Sequence, residues 1–204
     1  MTEARRLRLF VALELPVEWR DALAAEARAL ESAVPGFGRW VDPALMHVTL
    51  VFLGYQDAGL LPTIERAVQE AAATSAPFAL RLGEPGSFGG RRSLRVIWVG
   101  VVDRPADALV GLHQAVVSRL HSAGVSFDPA PFRAHITLGR ARRGASAAQS
   151  EAMYNAFARR AADPRRRLPV EQLQCEELTL MRSDLRPPGP IYTPLQRTKL
   201  ATRE

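Results

Sequence analysis

One tetrapeptide occurs twice in this chain, as His47-Val48-Thr49-Leu50 and again as His135-Ile136-Thr137-Leu138. Side chains along a β-strand alternate between its two faces, so each copy places its histidine and threonine on one face and its two apolar residues on the other. Each strand then presents an imidazole and a hydroxyl about 6.5 Å apart. Two such strands at one cleft would surround a small anion with two imidazoles and two hydroxyls.

The sequence around the two copies is also repeated. An apolar, β-forming stretch at 7–12 precedes the first copy, and a similar stretch at 94–99 precedes the second at nearly the same spacing. Between stretch and motif, each half shows helical periodicity that runs from a proline to a glycine, Pro16 to Gly36 and Pro105 to Gly124. A duplication of this length indicates two similar structural units.

The rest of the pattern predicts the fold class. Further helices are predicted at 58–74 and 146–161, and further strands near 77–83, 170–181 and 190–196. We expect an α+β fold of two pseudo-symmetric lobes, each a small, mostly antiparallel sheet with outer helices. The two motif strands would face each other across a cleft between the lobes. The whole chain, 1–204, would be one bilobal domain with an internal duplication, approximately 7–83 and 94–204, joined near 84–93 where glycines cluster.

Charge and composition limit the partners and the cellular compartment that we expect for this chain. The formal net charge is +6, which favours polyanionic partners such as nucleic acid. The single cysteine, Cys175, excludes an internal disulfide and suits a reducing compartment. No segment reaches the ~20 apolar residues that cross a bilayer, and the apolar stretch at 7–15 lacks a signal-peptide cleavage pattern. We therefore expect a soluble, cytoplasmic protein.

Paired imidazoles point to acid–base chemistry. With an ordinary pKa near ~6.5, one histidine can act as a general base and another as a general acid at neutral pH. In displacement at phosphorus the attacking and leaving oxygens lie roughly in line, so the two groups belong on opposite sides of the phosphorus. Arg140 could neutralise the phosphate charge, provided that the strand ends or bulges at Gly139; on a regular strand it would point away from His135.

Other candidates have less support. His113 and His121 share a helix face, but no recognised ligand spacing accompanies them, so we interpret them as solvated or packed. The basic run 165–167 is either a solvated loop or a contact to RNA backbone. Trp40 and Phe88 either fill the core or stack on a base.

Several segments together resemble the two-histidine phosphoesterase superfamily, and within it the RNA 2',3'-cyclic phosphodiesterases, also called 2'-5' RNA ligases. The likeness is carried by residues 6–13, 46–54, 95–100 and 132–140, which include both motifs and the arginine that follows the second. Residues of the C-terminal segment also fit, namely Ser183, Leu185, Gly189, Pro190 and Tyr192. The chain departs from the family at Ala134, where a proline often precedes the second histidine.

The resemblance implies an enzyme, a phosphoric diester hydrolase that opens RNA 2',3'-cyclic phosphate ends to a 2'-phosphate and a 3'-hydroxyl. His47 would be the proton donor and His135 the proton acceptor, although a near-symmetric pair could exchange these roles. Thr49, Thr137 and Arg140 would bind the substrate. No metal or cofactor is implied, and some relatives also join RNA ends through a 2'-5' bond.

The expected partner is RNA with a 2',3'-cyclic phosphate end, bound by a monomer away from any membrane. Two alternatives remain open. One is a catalytically silent RNA-binding module, and the other is a two-histidine phosphodiesterase that acts on a small cyclic nucleotide.

Overall fold

The structure, a computed structural model, describes residues 5–128, 131–163, 168, 172–187 and 189–201. The predicted α+β class and antiparallel pairing are confirmed. The strands are β1 (Arg6–Glu14), β2 (Gly38–Trp40), β3 (His47–Asp57), β4 (Phe78–Phe88), β5 (Val96–Arg104), β6 (His135–Ala141), β7 (Leu173–Cys175), β8 (Glu177–Arg186) and β9 (Gly189–Lys199). The helices are α1 (Val17–Ala33), α2 (Leu61–Ala73), α3 (Ala108–Ser122) and α4 (Ala147–Ala161).

Local sequence signals explain where the helices begin and end. Pro16 precedes the first residue of α1, where its missing N–H costs nothing. Ser146 caps α4 and forms a capping box with Gln149, which satisfies two backbone N–H groups. After α1 and α3 the chain turns at Gly36 and Gly124, which have φ values of 69° and 73°. Glycine is favoured after these two helices because it adopts the left-handed conformation without a steric penalty.

The strand order has a twofold pattern. Along the sheet the order is β7-β4-β5-β6-β3-β1-β8-β9, and β2 pairs with β6. Exchanging β1 with β5, β3 with β6, β4 with β8 and β7 with β9 turns this order into its own reverse. The strand β4 pairs with β5 of the second half, and β8 pairs with β1 of the first. Each half therefore lends a strand to the other.

One expectation about the sheet needs correction. The two predicted sheets form a single hydrogen-bonded sheet, and its two parts meet where Val48 of β3 pairs with Ile136 of β6. The motif strands are thus antiparallel neighbours and do not face each other from separate sheets. Because both motifs project their polar side chains from the same face, curvature of one sheet is enough to form the cleft.

The predicted joint at 84–93 is also different. Residues 84–88 belong to β4, which pairs with β5 as far as Phe88 and Val96. A register shift between Leu82 and Pro85 accommodates the proline, which cannot donate a ladder hydrogen bond. The glycines of this segment therefore belong to a bulged strand and the turn that follows it.

Helices cover one face of the sheet, where one large apolar cluster forms the core. Helix α1 contacts α4, and α2 contacts α3, as the twofold pattern requires. Glu26 of α1 is only 3% exposed and receives two hydrogen bonds from Arg160 of α4. Within the described residues, every helix is too short or too polar to span a bilayer.

The opposite face carries a small second cluster of Phe10, Ala12 and Met181, against which Tyr192 packs. Strand β1 is consequently buried on both faces, with Leu9, Val11 and Leu13 in the main core. Such burial explains why its sequence is a continuous apolar run and does not alternate. The rest of this second face is open and carries the two motifs.

A glycine on β4 controls the position of an aromatic ring beside the second motif. A Cβ at Gly86 would overlap the ring of Trp98, so we expect Gly86→Ala to lower the free energy of unfolding by about 1–3 kcal/mol. The matched control is Gly111→Ala in α3, where a Cβ meets nothing within 4 Å and the helix gains up to about 1 kcal/mol. Urea unfolding of both variants measures the difference; equal midpoints would contradict the packing described.

Candidate active site

All five residues proposed from the sequence line one open cavity of about 1410 Å³ on the second face of the sheet: His47, Thr49, His135, Thr137 and Arg140. The remaining lining includes Arg8, Arg39, Arg142 and Arg143. Among the described residues, the cavity wall has a single carboxylate, Asp42, which accepts a hydrogen bond from the Ala44 N–H. The cavity is therefore strongly cationic.

The antiparallel register sets the relative positions of the two motifs. Because Val48 lies opposite Ile136, the same register continued by one residue puts His47 beside Thr137 and Thr49 beside His135. The two histidines then occupy diagonal corners of a four-residue square. Diagonal neighbours on adjacent strands lie about 7–8 Å apart, which leaves space for one tetrahedral anion between the imidazoles.

A bulge after each motif changes which residues face the cavity. Along β6, Gly139 pairs with Ile97 and Thr137 with Trp98, so Leu138 is an extra residue in the ladder. The alternation is reset there, and Arg140 emerges on the same face as His135. The sequence predicted that Arg140 would reach the site only if the strand ended or bulged near Gly139, and the bulge is present.

The first motif has the equivalent bulge. On β3, Val51 pairs with Val11 and Thr49 with Ala12, which leaves Leu50 extra in the ladder. Phe52 consequently faces the cavity at the position that Arg140 takes in the second motif. The two halves thus place an aromatic ring and a guanidinium at corresponding positions.

Each bulged residue has its carbonyl oxygen satisfied from outside the ladder. The Nδ1–H of His113 donates to the Leu50 oxygen at 3.0 Å, and the Val41 N–H donates to the Leu138 oxygen at 2.9 Å. His113 also stacks on Phe132 with ring centroids 4.2 Å apart. His113 is therefore a packed residue that supports the first motif, as one of the two interpretations expected.

His47 is held in one tautomer and one orientation. Its Nδ1–H donates to the Leu45 carbonyl at 2.7 Å, so a neutral ring has its lone pair on Nε2. That Nε2 is 3.0 Å from the Thr49 hydroxyl, which can donate to it. The rings of Phe10 and Tyr192 flank the imidazole at 4.9 and 5.4 Å between centroids.

His135 has a similar backbone bond and different neighbours. Its Nδ1–H donates to the Arg133 carbonyl at 2.6 Å, which again directs Nε2 away from the backbone. Phe88 and Trp98 lie beside the ring at centroid distances of 5.1 and 5.7 Å. The Arg133 guanidinium lies 5.4 Å from the Trp98 centroid and completes this wall.

Burial lowers the pKa of both histidines below the ordinary value of 6.5. In each case the backbone carbonyl bond opposes the effect and raises the pKa, while the positive charge of Arg140 lowers it further. Proximity to His135 also lowers the pKa of His47. Without a bound anion, both imidazoles are thus biased towards the neutral form near neutral pH.

Sequence reasoning missed several residues of this cavity. Phe10, which lines the cavity, and Trp98, which lies beside His135, were interpreted only as strand residues, because a strand buried on both faces gives no alternation to read. Tyr192 fits the family's C-terminal pattern, but no local signal predicted that it reaches the site from β9. Arg8 is another: it donates to the Ser183 hydroxyl at 2.6 Å and lies 4.5 Å from the Phe52 centroid.

The aromatic candidates have mixed roles. Trp40 packs over Gly139 and against the core, and its indole N–H donates to Glu31, while the ring also lines the cavity. Phe88 packs between Trp98 and His135. His121, the other helix candidate, stacks on Phe127. The basic run 165–167 lies outside the described residues.

In the part of the chain that the structure describes, no three histidine, cysteine, aspartate or glutamate side chains lie close enough together to bind a metal ion. The chemistry available in the cavity is therefore that of two imidazoles, hydroxyl donors and guanidinium groups. Such a set can move protons on both sides of a phosphoryl group and stabilise its charge.

Comparison with known proteins identifies the family. A model of the 2'-5' RNA ligase superfamily matches residues 16–187. An RNA 2',3'-cyclic phosphodiesterase of Archaeoglobus fulgidus is 31% identical over 193 residues, covering 93% of this chain and 98% of that protein. A Geobacillus stearothermophilus protein of the same name is 36% identical over 149 residues, covering 73% of this chain but only 46% of that protein.

A solved structure supports the same assignment. The crystal structure of TT0787 from Thermus thermophilus superposes with a TM-score of 0.73 at 27% identity, covering 97% of this chain and 100% of that one. Sequence and architecture therefore agree over nearly the whole length, and the chain belongs to the 2'-5' RNA ligase superfamily.

Proposed function

We propose that this chain hydrolyses RNA 2',3'-cyclic phosphate ends to a 2'-phosphate and a 3'-hydroxyl by acid–base catalysis between His47 and His135. The observation that carries the proposal is the diagonal placement of the two imidazoles in one cationic cavity. An in-line displacement at phosphorus needs a base and an acid on opposite sides, and diagonal corners supply them. The names of the relatives support the substrate class.

In the proposed step both histidines move a proton through Nε2. Water attacks phosphorus as Nε2 of His135 takes its proton, the P–O3' bond breaks, and Nε2–H of His47 protonates the leaving 3'-oxygen. The Thr49 and Thr137 hydroxyls and Arg140 hold the non-bridging oxygens, whose charge grows in the transition state. If the 5'-hydroxyl of a second RNA attacks in place of water, the same step breaks the P–O3' bond, frees the 3'-hydroxyl and gives a 2'-5' bond.

An asymmetry in the resting site supports this division of roles. Nε2 of His47 is within hydrogen-bond distance of Thr49, whereas among the described residues Nε2 of His135 has no such partner. The lone pair of His135 is therefore accessible to a water molecule. We accordingly assign His135 as the acceptor and His47 as the donor. We also propose that the protein acts on RNA as a cytoplasmic monomer.

Removing either imidazole should nearly abolish turnover. We expect His47→Ala and His135→Ala each to lower kcat by about 10²–10⁴, because each removes one proton-transfer partner. A short RNA with a 2',3'-cyclic end is the substrate, and ³¹P NMR of the product distinguishes a 2'-phosphate from a 3'-phosphate.

The control for these variants is His121→Ala, which changes a histidine stacked on Phe127 in α3 and should retain wild-type turnover. Wild-type activity should also persist in EDTA. Full turnover in both cavity variants, or a 3'-phosphate product, would contradict the proposal.

The pH dependence follows from the lowered pKa values. The active pair carries one proton in total, a state most populated between the two apparent pKa values of the pair. Since both pKa values lie below 6.5, kcat/KM should peak below pH 6.5 and fall on both sides. Arg140→Ala removes a charge that lowers both pKa values, so its residual kcat/KM should peak at higher pH.

Arg28→Ala, an exposed change on α1, is the control and should leave the position of the peak unchanged. Profiles of kcat/KM across the acidic and neutral range provide the measurement. A shift of the Arg140→Ala peak to lower pH would be inconsistent with the proposed electrostatics.

A further inference from the structure

A second group of arginines borders the cavity beyond the two motifs. Arg39 lies on β2, Arg142 and Arg143 follow the end of β6, and all three line the cavity together with Arg140. We refer to Arg39, Arg142 and Arg143 as the arginine rim. The rim residues are exposed, and the proton transfers at the histidines do not require them.

The rim arginines lack the carboxylate partners that some arginines of the described residues have. Several arginines elsewhere form ion pairs, namely Arg91–Glu151, Arg119–Glu70, Arg160–Glu26, Arg182–Asp184 and Arg197–Glu14. Over the described part of the chain, no carboxylate lies within ion-pair distance of the rim or of Arg140. The rim's charges are therefore unneutralised and face the same cavity as the histidines.

The register of β2 even brings like charges together. Arg39 pairs directly opposite Arg140 in the β2–β6 ladder, an arrangement that is unfavourable in the absence of a counter-ion. A Cβ at Gly38 would overlap the carbonyl group of Arg140, so glycine is what lets β2 approach β6 this closely. A three-residue strand thus holds one arginine beside another, and a bound phosphate between them would turn repulsion into attraction.

The positions of Arg142 and Arg143 are also fixed by the backbone. The Arg142 N–H donates to the Phe37 carbonyl at 3.2 Å, and its carbonyl accepts from the Ala145 N–H at 3.1 Å. The guanidinium of Arg142 passes close to Gly36, where an added Cβ would lie 3.7 Å from Nη1. The turn after α1 and the turn after β6 therefore present these charges together at the cavity edge.

We propose that the arginine rim binds backbone phosphates of RNA upstream of the cyclic end, so that the enzyme prefers an oligonucleotide to a cyclic mononucleotide. The inference rests on the proposed function for its substrate. Guanidinium groups bind phosphate oxygens in bidentate fashion irrespective of base. Phe52 and Tyr192, on β3 and β9, suit a base, whereas the guanidinium groups of the rim suit the sugar–phosphate chain.

The test compares two substrates with one matched pair of variants. Turnover is measured on a 2',3'-cyclic mononucleotide and on a tetranucleotide with the same cyclic end. For Arg142→Ala/Arg143→Ala we expect kcat/KM to fall about tenfold or more further on the tetranucleotide than on the mononucleotide, through KM. The control, Arg28→Ala/Arg66→Ala, removes the same charge from exposed positions on α1 and α2 and should leave the ratio of the two substrates unchanged.

A binding measurement separates failure of the rim from failure of the reaction. The tetranucleotide carrying a 2'-phosphate is titrated at several salt concentrations. The slope of log Kd against log salt should become shallower in the rim variant by about 0.7 for each phosphate that the protein no longer neutralises. Equal losses on both substrates, or an unchanged salt slope, would overturn the inference. If the wild type turned over neither substrate, the proposed function would fail, and the salt slope would still decide whether the rim binds RNA.

Discussion

The pairing of Val48 with Ile136 is the contact on which the site depends. It joins the two parts of the sheet and is the single ladder pair between β3 and β6 among the described residues. The two strands run in opposite directions and overlap only where each begins with its motif, so the two histidines lie at opposite ends of that overlap. The imidazoles are therefore diagonal and not side by side, and the apolar residues between them anchor both strands in the core, where Val48 and Ile136 are fully buried.

A twofold architecture by itself would give two motif strands with identical surroundings, yet hydrolysis needs one proton donor and one proton acceptor. The difference arises at the bulges that follow the motifs. The same extra leucine in each strand turns the third residue after the threonine towards the cavity, and that residue is Phe52 in one half and Arg140 in the other. An aromatic ring favours a base and a guanidinium favours phosphate, so this one difference makes the two sides of the cavity suit different parts of the substrate.

Much of this arrangement could be predicted from the sequence because the relevant signals are local. The repeated tetrapeptide, the prolines and glycines at the helix ends and the alternation within the motifs are all properties of neighbouring residues. These signals placed His47, Thr49, His135 and Thr137 correctly on one face. They also raised the possibility of a bulge at Gly139, without which Arg140 would point into the core.

What the sequence could not give depends on pairing between distant segments. The exchange of β4 and β8 between the halves, which merges two expected sheets into one, leaves no local trace. The glycines near 84–93 suggested a joint between two lobes, because a glycine that makes room for Trp98 cannot be distinguished in sequence from one that bends the chain. Arg39 and Tyr192 reach the site through the pairing of β2 with β6 and of β9 with β8, which no local pattern predicts.

The most direct test of the central claim is whether one anion contacts both imidazoles at once. Histidine side chains labelled with ¹⁵N are observed while a nucleoside 2'-monophosphate is added, with His121 as an internal control. We expect the His47 and His135 signals to move along one saturation curve, towards the protonated form, while His121 stays unchanged. Movement of only one cavity histidine, or two curves with different Kd values, would contradict the claim.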